Sequence, residues 1–213
     1  KMEIIVEKIE AKLNFMRELI NSVVNDGILV KDEKTNLWQL TSTITASDLP
    51  ESLHSLFLSR IDKLSISDRL VLQIASVVGF TFFKSVLEAL TPKEIDVSEC
   101  LNRLQKENLI EERGAHIDLG AVFRFTSTLI RDVTYESVLS SQRKKLHAEI
   151  GELLSRFDLN EEVSASFLAY HFQMAGDLRQ ELFYRIQAAE EARDVFANQE
   201  AYQEYTRALE ILN

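Results

Sequence analysis

The segment 125–139 constrains the fold most, because the spacing of apolar residues changes there from that of a strand to that of a helix. Residues 122–125 are rich in β-prone side chains, whereas Leu129, Ile130, Val133 and Val138 recur at helical intervals. Beyond residue 142 the helical spacing continues almost to the end, with breaks at 158–160, at 176–177 and near 197–198. We therefore predict a junction between a domain that ends in strands and four antiparallel helices.

The composition favours a mainly α fold that does not bind nucleic acid. Six glycines and two prolines in 213 residues leave little material for long coil. The formal charge of -10 would repel a phosphate backbone, so we expect no nucleic-acid partner. No apolar stretch approaches the roughly 20 residues that cross a bilayer, so we expect no membrane span. A single cysteine fits a reducing compartment, which predicts a cytoplasmic location.

Residues 1–48 form the first predicted region. Apolar residues at alternating steps of three and four predict one long helix over 6–23, and Gly27 suits its end. Two β-prone runs at 28–30 and 37–40 predict a hairpin, and the polar residues 41–48 predict a linker. Because the first residue is Lys1, we expect the sequence to be a fragment of a longer protein.

Residues 49–139 are predicted to form a winged-helix domain. A helix begins near Pro50 and a second one ends at Gly79, after which apolar spacing predicts two shorter helices. The first short helix contains Phe82 and Phe83, and a hairpin with its turn at Arg113-Gly114 completes the domain. In this fold the helix over 96–108, around Cys100, takes the recognition position and the hairpin over 109–125 is the wing. Each carries one more acid than base, which favours protein contacts over DNA.

Residues 140–213 are predicted to form tetratricopeptide-like helical hairpins. Ala201, Tyr205 and Ala208 follow one another at steps of four and three, and Ala189 precedes them by twelve residues. The alanines of this pattern place small side chains where two antiparallel helices approach closely. Because one such unit cannot bury both of its faces, we expect further repeats in the parent protein.

Four motifs, at 49–64, 75–79, 125–139 and 168–177, occur in a recognisable order. Together they resemble the regulatory region of signal-transducing P-loop ATPases (the STAND and AAA type), as found in soluble-type adenylyl and guanylyl cyclases and in ATPase-fused transcription regulators, and the resemblance covers roughly residue 15 to the end. It implies the order ATPase domain, winged helix and repeats, with residues 1–48 as the C-terminal helix and hairpin of the ATPase lid region and with ATP or ADP bound in the parent protein. The chain itself contains no glycine-rich phosphate loop, and we expect no cofactor in it.

Two positions depart from the family pattern. Where the family opens its first helix with Gly-Asn-Pro, this sequence has Ala11-Lys12-Leu13. Ser127 stands where relatives carry a histidine that reaches the phosphates of the nucleotide. Ser127 is therefore a candidate cofactor-binding residue, although a hydroxyl lacks the charge of histidine, and the alternative is a helix N-cap.

Candidate partner-binding residues are basic. Arg143, Lys144 and Lys145 lie at the start of a helix, where cations oppose the helix dipole, so an acidic partner is one explanation and a solvated face is the other. Arg131 is a further candidate, through an ion pair with Asp132.

The remaining reactive side chains indicate no catalytic or metal site. The four histidines lie far apart in sequence, and His171 is predicted to be buried and hydrogen-bonded where two helices meet. Cys100 lies on an apolar stripe and is predicted to pack in the core.

We therefore expect a non-enzymatic regulatory or scaffolding segment that docks on an upstream ATPase domain and binds protein partners through its helices. The alternatives are a winged-helix transcription regulator that binds DNA and a segment that completes an ATPase site in cis.

Overall fold

The computed structural model describes residues 20, 29–31, 38–40, 53–157 and 163–212. Apart from Ile20, which is helical, the predicted helix over 6–23 lies outside the described residues, as does the linker 41–48. The chain divides into two compact units, Lys1–Ser65 and Ile66–Asn213. The described part is mostly helical with little sheet, which confirms the predicted mainly α class.

The first unit contains the predicted hairpin and one described helix. Strand β1 (Leu29–Lys31) pairs antiparallel with β2 (Trp38–Leu40). Helix α1 spans Leu53–Asp62 and buries Leu56, Phe57 and Ile61. Their spacing of one, four and five residues is that of a single helical face.

The second unit begins with a bundle of helices closed by a three-stranded sheet. Its elements in chain order are α2 (Ile66–Val78), β3 (Thr81–Phe83), α3 (Lys84–Leu90), α4 (Val97–Lys106), β4 (Ile110–His116) and β5 (Gly120–Phe125). The sheet is antiparallel in the order β3-β5-β4. Helix α4 has a strongly apolar side, because Val97, Cys100, Leu101 and Leu104 are all buried. The side chain of Asp96 caps this helix by accepting from the Glu99 amide at 3.0 Å.

The predicted helix through Phe82 and Phe83 is wrong at its start. These two residues belong to β3, and the helix begins only at Lys84. Their rings are buried, and Phe82 stacks at 6.0 Å on Phe123 of the neighbouring strand. Pairing with β5, which is distant in sequence, overrides the helical spacing of the apolar residues.

The predicted turn at Arg113-Gly114 is also wrong. The register between β4 and β5 shifts between Glu112 and Gly114, and Gly114 has φ +131. A β-bulge therefore lies there, and the chain reverses at 117–119 instead. His116 stabilises this reversal, because its Nδ1 accepts from the amides of Asp118 and Leu119 at 3.1 and 3.2 Å.

In the described ranges 126–157 and 163–212, five helices follow the sheet, and consecutive ones from α6 onward pack on each other. They are α5 (Thr128–Ser137), α6 (Ser140–Leu154), α7 (Ala165–Ala175), α8 (Leu178–Asp194) and α9 (Asn198–Leu212). The four helices expected after residue 140 are therefore present. Gly176 ends α7 with φ +74, the left-handed conformation that favours glycine, and Asp177 then caps α8.

Helix α2 connects the two halves of the second unit. It packs against α3 and α4 on the side of the sheet and against α5 and α6 on the side of the later helices. Nearly all of its C-terminal half is buried, from Ile74 to Val78. The core is therefore continuous from the sheet to the helices that follow it.

Candidate functional site at the junction of α5, α6 and α7

A chain of hydrogen bonds joins α5, α6 and α7. The Tyr135 hydroxyl lies 3.0 Å from Nε2 of His147, and Nδ1 of His147 lies 2.9 Å from Nδ1 of His171. Both histidine side chains are fully buried, and the three rings lie edge-to-face or tilted against each other. We call these three residues the junction triad.

Aromatic side chains of α7 surround the triad. Phe167 meets His171 edge-on at 4.7 Å, and Tyr170 meets His147 edge-on at 5.6 Å. A histidine in such surroundings is desolvated, and its neutral form is favoured. The triad is therefore a polar connection inside an aromatic core.

The directions of these two hydrogen bonds depend on which ring nitrogen of each histidine carries the proton. With the proton of His147 on Nδ1, its Nε2 accepts from the Tyr135 hydroxyl and its Nδ1 donates to Nδ1 of His171. With the proton of His147 on Nε2, both directions are reversed. Nε2 of His171 has no hydrogen-bond partner within the described residues. Burial raises the pKa of Tyr135, so its hydroxyl stays protonated.

Both imidazoles resist protonation. Burial, followed by the charges of Arg131 and Arg143, lowers the pKa of His147 to about 4. Burial and the neighbouring His147 lower the pKa of His171 as well. The pair is therefore neutral at neutral pH.

Two of the predicted partner-binding residues converge on the triad. The guanidinium carbons of Arg131 and Arg143 lie 4.8 and 4.7 Å from the centre of the Tyr135 ring, within the range of cation–π attraction. Arg131 also donates through Nε to the Ser76 carbonyl oxygen at 3.0 Å, which ties α5 to α2. Its ion pair with Asp132 joins neighbouring residues of one helix at 3.0 Å. The role of either arginine in binding a partner stays a prediction.

The other predicted site residues lie apart from the triad. Ser127 caps α5 by accepting from the Leu129 amide at 3.2 Å, which confirms the N-cap interpretation, whereas a nucleotide contact stays a prediction. Lys144 is exposed, and its Nζ lies near Gly176. Lys145 is exposed and pairs with Glu149 at 3.5 Å on the same helix. Of the three basic residues at the start of α6, Arg143 therefore lies against the triad, whereas Lys144 and Lys145 are exposed to solvent.

A groove of about 310 Å³ opens beside the junction, between α2 and the start of α6. Apolar residues such as Ile74 and Val138 line it together with Gln142 and Lys145. Next to it, Gln73 of α2 donates to the Ser137 hydroxyl of α5 at 3.0 Å. This bond is a second polar tie between α2 and α5.

The remaining reactive groups take structural positions. His171 is buried and hydrogen-bonded where two helices meet, as predicted. Cys100 lies in the core, and burial raises its pKa to about 11, so the thiol stays protonated. Within the described ranges, no group of three histidine, cysteine or acidic side chains has the arrangement of a metal site. In the same part of the chain, no helix has both the length and the apolar content to cross a membrane.

The comparisons with known proteins give no relative. A scan against models of protein families, a search of curated proteins and a search of solved structures each find no match for this chain.

Proposed function

We propose that this chain is a non-catalytic regulatory and scaffolding segment of a multidomain signalling ATPase or cyclase. In this proposal a winged-helix domain is joined rigidly to tetratricopeptide-like helical hairpins, and the two together link a nucleotide-binding domain to protein partners. The observation that carries the proposal is the junction triad, which connects α5 to α6 and α7 by buried hydrogen bonds.

The order of elements supports the winged-helix part of the proposal. A helix, a short strand, two helices and a hairpin follow one another, and the short strand β3 pairs with β5 at the edge of the sheet. Buried Ala189, Ala201 and Ala208 support the repeat part, because they allow close approach of α8 and α9.

The triad supports coupling between the two parts. Separating α5 from α6 and α7 would leave buried ring nitrogens without partners, which costs roughly 1–3 kcal/mol for each group. A displacement imposed on the sheet and α2 is then passed to the later helices as a rigid-body movement. The described contacts are therefore suited to a segment that passes a movement of the sheet and α2 on to the later helices.

The two alternatives receive less support from the contacts. Arg103, one of two basic side chains in the candidate recognition helix α4, is bound to Asp68 by three hydrogen bonds and to Glu99 by an ion pair. Its guanidinium is therefore already paired with acidic side chains of the fold and does not favour binding to a DNA phosphate. The Ser127 hydroxyl already accepts a hydrogen bond as a helix cap. For an ATPase site completed in cis, this residue would therefore offer only its one hydroxyl hydrogen as a weak donor.

A pull-down tests the proposal. Residues 1–213 serve as bait for the nucleotide-binding domain that the resemblance places before this segment, with and without ATP. We expect retention that changes with nucleotide, and no ATP hydrolysis by the bait alone. Hydrolysis by the purified chain, or tight binding of duplex DNA at physiological salt, would replace this proposal with one of the alternatives.

A further inference from the structure

The bond between the two histidines of the junction triad depends on one nitrogen that carries no proton. Nδ1 of His147 lies 2.9 Å from Nδ1 of His171, and both side chains are fully buried. This contact is a hydrogen bond only while one of the two nitrogens is bare, as in a pair of neutral imidazoles. When both rings take up a second proton, both Nδ1 atoms carry hydrogen and face each other as donors. Acid therefore replaces the bond between α6 and α7 with two like charges.

The charged groups that act on the two rings add to this repulsion. Within the described residues they are cations, Arg131 of α5 and Arg143 of α6. Asp132 neutralises Arg131 in part, at 3.0 Å, whereas Arg143 forms no ion pair in the described part of the chain. The other groups that face the pair are uncharged: the hydroxyl and ring of Tyr135 on α5, the rings of Phe167 and Tyr170 on α7 and the Val78 backbone on α2. A buried imidazolium pair would thus have no counter-charge.

The contact that acid breaks lies between α6 and α7, because α6 stays with the preceding helices. Only Val138 and Leu139 stand between α5 and α6. The Tyr135 hydroxyl can accept a hydrogen bond from Nε2 of a protonated His147, so the bond from α5 to α6 is kept. Helix α6 also packs against α2 and α3. Residues 155–164, by contrast, separate α6 from α7 in the chain.

Helices α7, α8 and α9 are held together by bonds that need no histidine. Arg185 of α8 donates to the Gln173 side-chain oxygen of α7 and to Glu204 of α9, both at 2.8 Å. Arg207 of α9 donates to the fully buried Glu181 of α8 at 2.9 Å. These bonds do not depend on the two protons at the junction. The three helices are therefore able to move as one folded body.

We infer that the junction triad is an acid-operated release: when His147 and His171 are both protonated, α7–α9 separate as one folded body from the sheet and α2–α6. This inference rests on the proposed coupling function and names the proton as its regulator. A hydrated histidine has a pKa of about 6.5, whereas burial lowers the pKa of both rings in the closed form. At pH 5 proton uptake therefore favours the open form about thirtyfold for each ring. The two rings together favour it about a thousandfold.

A distance measurement at several pH values tests the release. Spin labels are placed at Asn102→Cys on α4 and Gln203→Cys on α9, two exposed positions of the second unit, in residues 1–213 with Cys100→Ala. Pulsed electron resonance and circular dichroism are recorded at pH 7.5, 6 and 5. We expect a second distance to appear as the pH falls, with the helical signal retained, and to disappear when the pH is returned to 7.5.

The number of protons taken up identifies the histidine pair as the cause. Between pH 6 and pH 5 the ratio of open to closed chains should rise by up to about a hundredfold, because two protons are bound. His171→Leu leaves one titrating ring, so the ratio should rise by no more than about tenfold. With His147→Leu and His171→Leu together, the distance distribution should not respond to pH. All carboxylates are the same in the three proteins, so they contribute equally.

Three results would overturn the inference. They are an unchanged distance distribution in the chain with both histidines down to pH 5, an equal response of the double variant, and loss of the helical signal together with the change in distance. The last result would mean unfolding instead of release. The pull-down of the nucleotide-binding domain is carried out at neutral pH, where the junction is closed, so its failure and the failure of this test are distinguishable.

Discussion

Acid should destabilise the second unit through the junction triad. An unfolded histidine has a pKa of about 6.5, whereas burial lowers the pKa of His147 in the folded chain to about 4. The unfolded state therefore binds more protons, so the stability from the neutral ring is complete above pH 6.5 and is lost as the pH falls toward 4. For His147 alone, the change from pH 7 to pH 5 costs about 2 kcal/mol of unfolding free energy. His171, whose pKa is lowered too, adds to this loss.

The assay compares unfolding free energies at several pH values. Urea unfolding is followed by circular dichroism at pH 7, 6 and 5 and constant ionic strength, for the wild type and for His147→Leu combined with His171→Leu. Between pH 7 and pH 5 the wild type should lose at least about 2 kcal/mol more than the double variant.

The comparison isolates the triad, because titration of the carboxylates contributes equally to both proteins. Even if the double variant is less stable at pH 7, the difference in pH dependence remains measurable. Equal pH dependence of the two proteins would refute the reasoning. Imidazole resonances of His147 and His171 that titrate near pH 6.5 in NMR spectra would refute it too.

Two substitutions and one test of reactivity have defined outcomes. Arg103→Met should lower the melting temperature, because Asp68 is 5% exposed and would lose its bidentate partner. Gly151→Val should destabilise the fold by about 2 kcal/mol, since a Cβ at Gly151 lies 3.0 Å from the Phe172 ring; urea unfolding measures this. The Cys100 thiol, whose pKa burial raises to about 11, should not react with a disulfide reagent at pH 8 until the chain unfolds.

Local signals in the sequence predicted much of the fold. Helical spacing predicted the helices after residue 140, and the glycine at 176 predicted one of their breaks. The position of Ser127 before Leu129 predicted a cap, and the structure has one. The apolar neighbours of His171 predicted its burial. In each case the cause lies within a few residues of the effect.

Features that depend on distant partners escaped the sequence. Phe82 and Phe83 form a strand because β5, about forty residues later, offers them an edge. His147 and His171 meet only because α6 packs on α7, and their separation of 24 residues gives no periodic signal. The apolar neighbours Leu146 and Ile150 were the one local signal in the sequence that His147 would be buried.

The central claim is that the sheet and the later helices move as one body, and a distance measurement tests it most directly. Spin labels at Ile117→Cys in the hairpin turn and Gln203→Cys on α9 both lie at exposed positions of the second unit, in a Cys100→Ala background. Pulsed electron resonance should give a single narrow distance distribution at neutral pH that broadens when His147→Leu and His171→Leu are introduced. A broad or two-peaked distribution in the chain with an intact triad would contradict the account.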